Sequence, residues 1–413
     1  MVEIQEKPES PALPLSARLR ELVFLFLKLG TISFGGPAAH VALIESEIVG
    51  KRHWVTKQQF LDMLGAANLI PGPTSTEMAI NVGYVRAGWA GLCVAGASFI
   101  LPAAVITGVF AWAYVRFGSL PQAASVLAGI KPAVIAVIAI AIWRLARTAV
   151  KDIALSILGG LALAAFFLDF NPIAILFVGG LLGMLARQVA GGTVTATVPA
   201  LWFPRVFGIF GSREASIAWL RPAAAFGVIA VAAESIVYRP SIDQIGLFFL
   251  KVGAALYGGG YVLLAFLEQG LVQQHAWLTR QQLLDAVSIG QFTPGPVLST
   301  ATFIGYMLGG IPGAAVATVG IFLPSFFYVA LLAPVLFRLR KLSWIGAFLD
   351  SVNVCAVSLM AGVTLQLGSD ALRGWPSWII ALISLCVLLR WKISPAWVVL
   401  AGGIAGLLLA LWR

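Results

Sequence analysis

Residues 26–73 align without a gap on residues 249–296, an offset of 223, and 18 of the 48 positions are identical. A chain that carries one unit twice must fold that unit twice and pack the copies together. The shared skeleton begins with Phe26-Leu27-Lys28 and Phe249-Leu250-Lys251, then Gly35-Gly36 and Gly258-Gly259. It continues through Glu45/Glu268, Trp54/Trp277, Thr56/Thr279, Gln58-Gln59/Gln281-Gln282 and Asp62/Asp285, and closes on Pro71-Gly72-Pro73 and Pro294-Gly295-Pro296. After a one-residue slip, Gly83-Tyr84 meets Gly305-Tyr306 and Leu101-Pro102 meets Leu323-Pro324. Pro172 pairs with Pro395, and Gly179-Gly180 with Gly402-Gly403. Shared composition scatters Leu and Gly matches, but it does not set Pro-Gly-Pro, Trp-x-Thr and Asp at one offset. The division expected is a tail over 1–21, a first copy over 22–189, a connector over 190–244 and a second copy over 245–413.

The copies are too apolar for water. Hydrophobic residues make up 60% of the chain and charged ones 11%, where a soluble domain carries roughly 25% charged residues. Residues 102–114, 133–143, 153–168, 173–185, 311–336 and 398–412 are free of charge, and about 20 such residues cross a bilayer. The sequence therefore predicts an all-α polytopic membrane protein in contact with the lipid bilayer. The net charge of +10 reads as Lys and Arg gathered in cytoplasmic loops. No RNA-recognition motif, zinc knuckle or basic–aromatic run points to nucleic acid. Cys93, Cys355 and Cys386 lie far apart without metal-ligand spacing, so neither a metal nor another cofactor is expected. Residues 1–14 have no apolar core and read as a cytoplasmic tail, not a signal peptide. A homodimer is one assembly open to the chain.

Loop charges bear on how the copies face. Lys51, Arg52 and Lys57 follow the first apolar segment, while the counterpart loop has only Arg280. Arg338, Arg340 and Lys341 crowd a late loop of the second copy, whose counterpart near Gly118 has only Arg116. A positive-inside reading puts these equivalent loops on opposite sides. That predicts inverted repeats, with a substrate site between the halves at the midplane. Inversion needs a connector with an odd number of crossings. Residues 222–238 are apolar enough to supply one, with Glu234 counting against it. Arg187, Arg205, Arg213 and Arg221 fit a cytoplasmic linker.

Glycine and proline fall where a spanning helix should be continuous. Gly35-Gly36-Pro37 interrupts residues 22–44, and Pro71-Gly72-Pro73 interrupts 61–82; Gly258-Gly259-Gly260 and Pro294-Gly295-Pro296 repeat the pattern. Proline removes a donor, clashes with the preceding turn and biases the residue before it out of the α region. In lipid the freed backbone groups survive only inside protein or along a cavity. Broken or re-entrant helices are therefore expected. Their N-termini, with free N–H groups and a positive dipole end, suit an anion.

Lys28 and Lys251 each stand seven residues before a Gly-Gly break in an apolar run. A charge there is costly and is read as a candidate for attracting the anion, with snorkelling to the surface as the alternative. Lys131, after Gly129, reads as a helix-end lysine whose repeat partner is Asn353. Glu77, just past the first Pro-Gly-Pro, has two open readings: a carrier of a coupling proton, or an acid placed beside a positive helix end. His40 is a weaker relay candidate and reads better as a packed polar residue. Thr56-x-x-Gln59 and Thr279-x-x-Gln282 fit capping boxes. Trp54 and Trp277 suit interfacial anchoring. Gly179-x-x-x-Gly183 and Gly402-x-x-x-Gly406 suit close helix packing.

The run from Phe26 to His40, the run from Trp54 to Asp62, Pro71-Gly72-Pro73 and Gly83-Tyr84 together resemble the signature of the chromate ion transporter family. With the motifs repeated at Gly258 and Pro294, the chain is similar to that family's long, two-domain members. The resemblance implies secondary active export of chromate across a bacterial inner (plasma) membrane, driven by the membrane potential or a proton gradient. Sulfate, another tetrahedral dianion, is the isosteric competitor, and an anion channel is the other transport reading. The second copy departs from the first: Gly260 replaces Pro37, Leu263 replaces His40, and no acid matches Glu77. No Gly-x-Ser-x-Gly elbow, His-Glu-x-x-His pair or Walker loop supports an enzyme.

Overall fold

The computed structural model describes residues 13–34, 36–67, 70–118, 120–190, 240–257, 262–332, 343–391 and 393–411. Residues 1–12 of the expected tail, the 222–238 crossing and the basic residues Arg338–Lys341 lie outside them, whereas 15–21, also assigned to the tail, already belong to the first helix. Among the described residues every regular element is a helix, and each copy supplies seven. Copy one holds α1 (Leu15–Ile32), α2 (Pro37–Glu45), α3 (Lys57–Ala67), α4 (Thr74–Phe117), α5 (Pro121–Ala149), α6 (Ile153–Phe167) and α7 (Pro172–Ala190). Copy two holds α8 (Ile242–Ala255), α9 (Leu263–Leu267), α10 (Arg280–Phe292), α11 (Thr300–Leu332), α12 (Ser343–Ala371), α13 (Trp375–Arg390) and α14 (Pro395–Leu411). Residues 1–184 and 239–413 form one compact unit, and 185–238 a second, described only over its first six residues as the end of α7.

The copies agree in fine detail. Both α2 and α9 run on into a π-helical turn, Ser46–Lys51 and Glu268–Gln274. Thr56 and Thr279 exchange the paired capping bonds with Gln59 and Gln282 that their spacing predicts. The one-residue slip falls after the second Pro-Gly-Pro, where Val297–Ser299 is a 3₁₀ turn. Three residues of 3₁₀ helix rise about as far as four of α-helix, so the shorter copy keeps its length.

α4 is 44 residues long but is not one rod. Ala87 (φ −144°, ψ 22°) and Gly88 (φ 61°, ψ −146°) leave the helical region, and the chain folds back on itself. Gly83 lies so close to Gly91 that a Cβ on either would overlap the other's carbonyl. In a straight helix those residues would stand about 12 Å apart. Only glycine takes the left-handed φ at position 88 without penalty. Gly309 (φ −142°, ψ 19°) and Gly310 (φ 63°, ψ −150°) make the same reversal in α11, with Gly305 against Gly313. Each of these helices is thus a hairpin. The long arms, 89–117 and 311–332, measure about 43 and 33 Å and are long enough to span the bilayer; the short arms are about half that.

This packing establishes the inversion independently of loop charge. Along arm 89–117, Ala103 faces Gly295, the Thr107 hydroxyl donates to Ser299 at 3.2 Å, and the Tyr114 ring lies 5.3 Å from Phe303. The numbers rise together, so copy two's short arm runs parallel to it and the returning arm 311–332 runs antiparallel, with Phe326 against Gly96. Equivalent spanning arms that pack antiparallel are related by a two-fold axis perpendicular to them. Spanning helices stand near the bilayer normal, so that axis lies near the membrane plane. The terminal helices are exchanged between copies. Gly179 and Gly183 of α7 pack on Cys355 and Ser351 of α12, and Gly402 and Gly406 of α14 pack on Ala133 and Gly129 of α5.

The exterior suits lipid. Ile153, Leu168, Ile311 and Leu411 are among many large apolar side chains left exposed, and α4, α5, 297–331 and 346–371 are each long and apolar enough to cross a membrane. Two expectations need correction. Trp277 is not at a lipid interface: its ring is buried and stacks on His275 at 4.6 Å. Lys131 is not at a helix end. Pro121 opens α5, so Lys131 stands ten residues inside, buried, with Asp285 at 2.8 Å.

Candidate functional site

Among the described residues, three of the four breaks turn on a glycine at positive φ: Gly36, Gly72 and Gly295. α1 stops at Ile32, and Gly36 (φ 85°, ψ −177°) caps α2 with Pro37 as its first residue. Proline fits there because its missing N–H would have had no helical acceptor. The C-caps before the two breaks match closely, Ser33 at φ −77°, ψ 94° and Leu256 at φ −78°, ψ 94°. Gly35, Gly258 and Gly259 lie outside the described residues. In the Pro-Gly-Pro motifs Gly72 has φ 145° and Gly295 has φ 87°. Pro73 caps α4, and Pro296 precedes the 3₁₀ turn that leads into α11.

Expected breaks from opposite copies meet. The Gly295 N–H donates to the Ser33 carbonyl at 2.8 Å. Gly36 and His40 of copy one, with Gln291, Thr293 and Gly295 of copy two, line a small cavity with room for about one water molecule. On the other side of the pseudo-dyad Gly72 presses on the Glu77 carboxylate and the Ser325 hydroxyl, just as Gly295 presses on Ala103. Ala103 and Ser325 are equivalent positions, so each Pro-Gly-Pro is seated on the long arm of the other copy.

Buried polar side chains gather around these two contacts. Ser33, His40, Ser75, Thr76, Glu77, Asn81 and Ser325 are all buried. His40 Nδ1 lies 3.4 Å from the Ser75 hydroxyl, and its ring meets Phe99 edge-on. Ser33 Oγ, His40 Nε2, Thr76 Oγ1, both Glu77 oxygens, Asn81 Nδ2, Gln291 Nε2 and Ser325 Oγ have no hydrogen-bond partner in the protein. Buried polar groups are paired in the great majority of cases. So many unpaired ones beside the helix breaks mark a region arranged for something polar. Glu77 stands out. It is fully buried, with Tyr257 of copy two in electrostatic reach, and its carboxylate oxygens, if charged, would need a hydrogen-bond partner that the protein does not provide.

The two sequence-singled lysines sit elsewhere. Lys28 is half-exposed and pairs with Glu47 at 3.1 Å. Lys51 at 3.0 Å and Arg52 at 3.7 Å share the same carboxylate. The Lys51 and Lys28 hydrogen bonds hold the Glu47 carboxyl below the usual carboxylate range against the opposing effect of burial. Three cations on one acid leave a positive rim. Lys251 is exposed, and neither lysine lines the cavity. Sequence reading passed over Ser33, Ser75, Gln291, Thr293 and Ser325. The signal for four of them was present: Ser33, Ser75, Gln291 and Thr293 lie within three residues of a Gly or Pro break.

The sequence profile of the family described as "Chromate transporter" matches residues 20–184 and again 244–407. A chromate transport protein of Cupriavidus metallidurans is 34% identical over 392 residues, covering 94% of this chain and 92% of that one. A probable chromate transport protein of Synechococcus elongatus is 32% identical over 378 residues, covering 91% of each chain. An uncharacterized transporter of Bacillus subtilis, YwrA, is 29% identical over 132 residues, which is 32% of this chain but 74% of its own. Relatives about as long as one copy therefore exist. No solved structure matches the chain.

Proposed function

This chain belongs to the chromate transporter family, and from that premise we propose that it exports chromate across the inner membrane of a bacterium as a secondary active transporter. The observation that carries the reading is the meeting of Gly36 and His40 with Gln291, Thr293 and Gly295. A tetrahedral oxyanion offers acceptor oxygens in every direction. Hydroxyl and amide groups, a histidine ring and helix N-termini from both copies offer donors around one point.

The cavity in the closed arrangement is smaller than an oxyanion, so the copies must separate there to admit one. Rocking of inverted repeats about such a site opens it to one side and then the other. The rim of Lys28, Lys51 and Arg52 would face the cytoplasm and draw the dianion in. Glu77, buried and unpartnered at the mirror contact, is the group suited to carry a coupling proton. Sulfate shares charge and shape with chromate and is the substrate to be tested beside it.

Labelled chromate uptake into everted vesicles, with and without an imposed proton gradient or membrane potential, tests this. Gradient-driven accumulation that sulfate competes with is expected. Flux that only dissipates gradients would identify a channel, and sulfate flux without chromate flux would identify a different cargo.

A further inference from the structure

Among the described residues Lys131 is the one Lys or Arg that is buried. Its ammonium lies 2.8 Å from Asp285 Oδ1, and the two side chains are 8% and 5% exposed. The Tyr114 hydroxyl donates to the other carboxylate oxygen at 2.9 Å. The three side chains come from α5, α10 and the long arm of α4, so the cluster joins the copies. The ammonium contact is one of distance rather than alignment, because Oδ1 receives no well-directed hydrogen bond. The tyrosine bond is aligned.

Two routes tie this pair to the cavity. Asp285 precedes Gln291 by six residues on α10, about 9 Å along the axis, and Gln291 lines the cavity. Gly129, two residues before Lys131, packs backbone to backbone on Gly402 and Gly406 of α14. The first residue of α14, Pro395, also lines the cavity.

Stability does not explain a cation here, since the desolvation of a buried pair offsets most of its attraction. Symmetry is more telling. The mirror of Asp285 is Asp62, but the mirror of Lys131 is Asn353. A latch required by the inverted architecture would recur in both halves, whereas a single charged cargo needs its counter-charge once. A dianion inside the protein carries charge that neutral donors alone do not offset.

We infer that Lys131 is the cation that receives the oxyanion during passage, with Asp285 as the counter-ion that holds it between cycles. The substrate displaces Asp285 from the ammonium. The Tyr114 hydroxyl stays with the carboxylate and satisfies it while the ammonium is engaged. This rests on the oxyanion reading above, and it makes Lys131 the determinant of dianion preference.

The test is equilibrium binding of labelled chromate to the purified full chain, competed by sulfate, a tetrahedral dianion, and by perchlorate, a tetrahedral monoanion. Lys131→Gln combined with Asp285→Asn removes both charges and leaves neither unpaired. A tenfold or greater loss of chromate affinity is expected, with collapse of the preference for sulfate over perchlorate. Wild-type affinity and preference in that variant would overturn the inference. Should the double variant not fold, Asp285→Asn alone decides. Tighter oxyanion binding is expected once the competing carboxylate is neutral, and unchanged or weaker binding overturns the inference. A wild type that binds sulfate but not chromate overturns only the choice of cargo, and the same comparison then runs on labelled sulfate. A wild type that binds no tetrahedral anion overturns both.

Discussion

Gly72→Ala is the substitution whose effect follows most directly from the geometry. Gly72 has φ 145°, a region closed to other residues, and an alanine held there is strained by about 1–3 kcal/mol. Its Cβ would also overlap the Glu77 carboxylate and the Ser325 hydroxyl. The atoms met are side-chain ends, but both side chains are fully buried and must repack to give way, and overpacking of this kind costs about 1–3 kcal/mol. The two effects together come to about 2–6 kcal/mol. Thermal unfolding in detergent, followed by tryptophan fluorescence, should begin several degrees below wild type, and vesicle flux should fall sharply. Gly72→Ala with Ser325→Gly removes one overlap and leaves the backbone strain, so partial recovery is expected. Gly108→Ala is the control. It lies in helix with open space around it, so alanine there should gain up to about 1 kcal/mol. A Gly72→Ala protein with wild-type melting and flux would refute the seating of Pro-Gly-Pro on the opposite long arm.

Further outcomes are expected. Gly83→Val forces the α4 hairpin apart, since the new side chain meets the Gly91 backbone; a loss of folded protein by size exclusion is expected, and normal yield would contradict the reversal at Gly88. Glu77→Gln removes a charge at nearly constant volume, and chromate–sulfate exchange should persist while the response to an imposed proton gradient disappears. A gradient response equal to wild type would exclude Glu77 from coupling. The depressed Glu47 carboxyl contributes stability that is fully present above the unfolded value of about 4.3 and lost as pH falls through its lower folded value. Lys28 and Lys51 are more than half exposed, so the contribution is below about 1 kcal/mol. The melting difference between wild type and Glu47→Gln should therefore be small and flat from about pH 6 to 8 and vanish in acid. Lys28→Ala leaves Lys51 and Arg52 on the rim and should lower chromate uptake modestly, the more so at low ionic strength.

What the sequence carried clearly was whatever the two copies share. Gly36, Gly72 and Gly295 stand at backbone conformations that few other residues tolerate, so the repetition of their motifs was enough to mark the helices as broken. The reversal at Ala87-Gly88 was not legible, because a glycine in an apolar run looks the same whether it kinks a helix, turns it or lets a neighbour approach. The place of Lys131 is hidden in the sequence for a related reason. Gly129 resembled a helix boundary, but its missing side chain serves contact with Gly402 and Gly406 instead. Asp285, its partner, is 154 residues away in number, and no local pattern couples charges across a pseudo-dyad. Lys28 stands out because its counterpart is also a lysine, yet the acid that engages it, Glu47, faces Gly270 in the alignment and leaves no repeated trace. Loop charge pointed to inversion, and the antiparallel packing of the long arms supplies the physical reason for it.

The central claim is that the oxyanion is held where the first break of copy one meets the Pro-Gly-Pro of copy two. Gln291 tests it most directly, because its amide lines that cavity, has no protein partner at Nε2 and carries no charge. The measurement is the binding isotherm of labelled chromate on purified Gln291→Ala beside wild type. The account predicts a folded protein whose affinity is at least tenfold weaker; an isotherm that superimposes on wild type would contradict it.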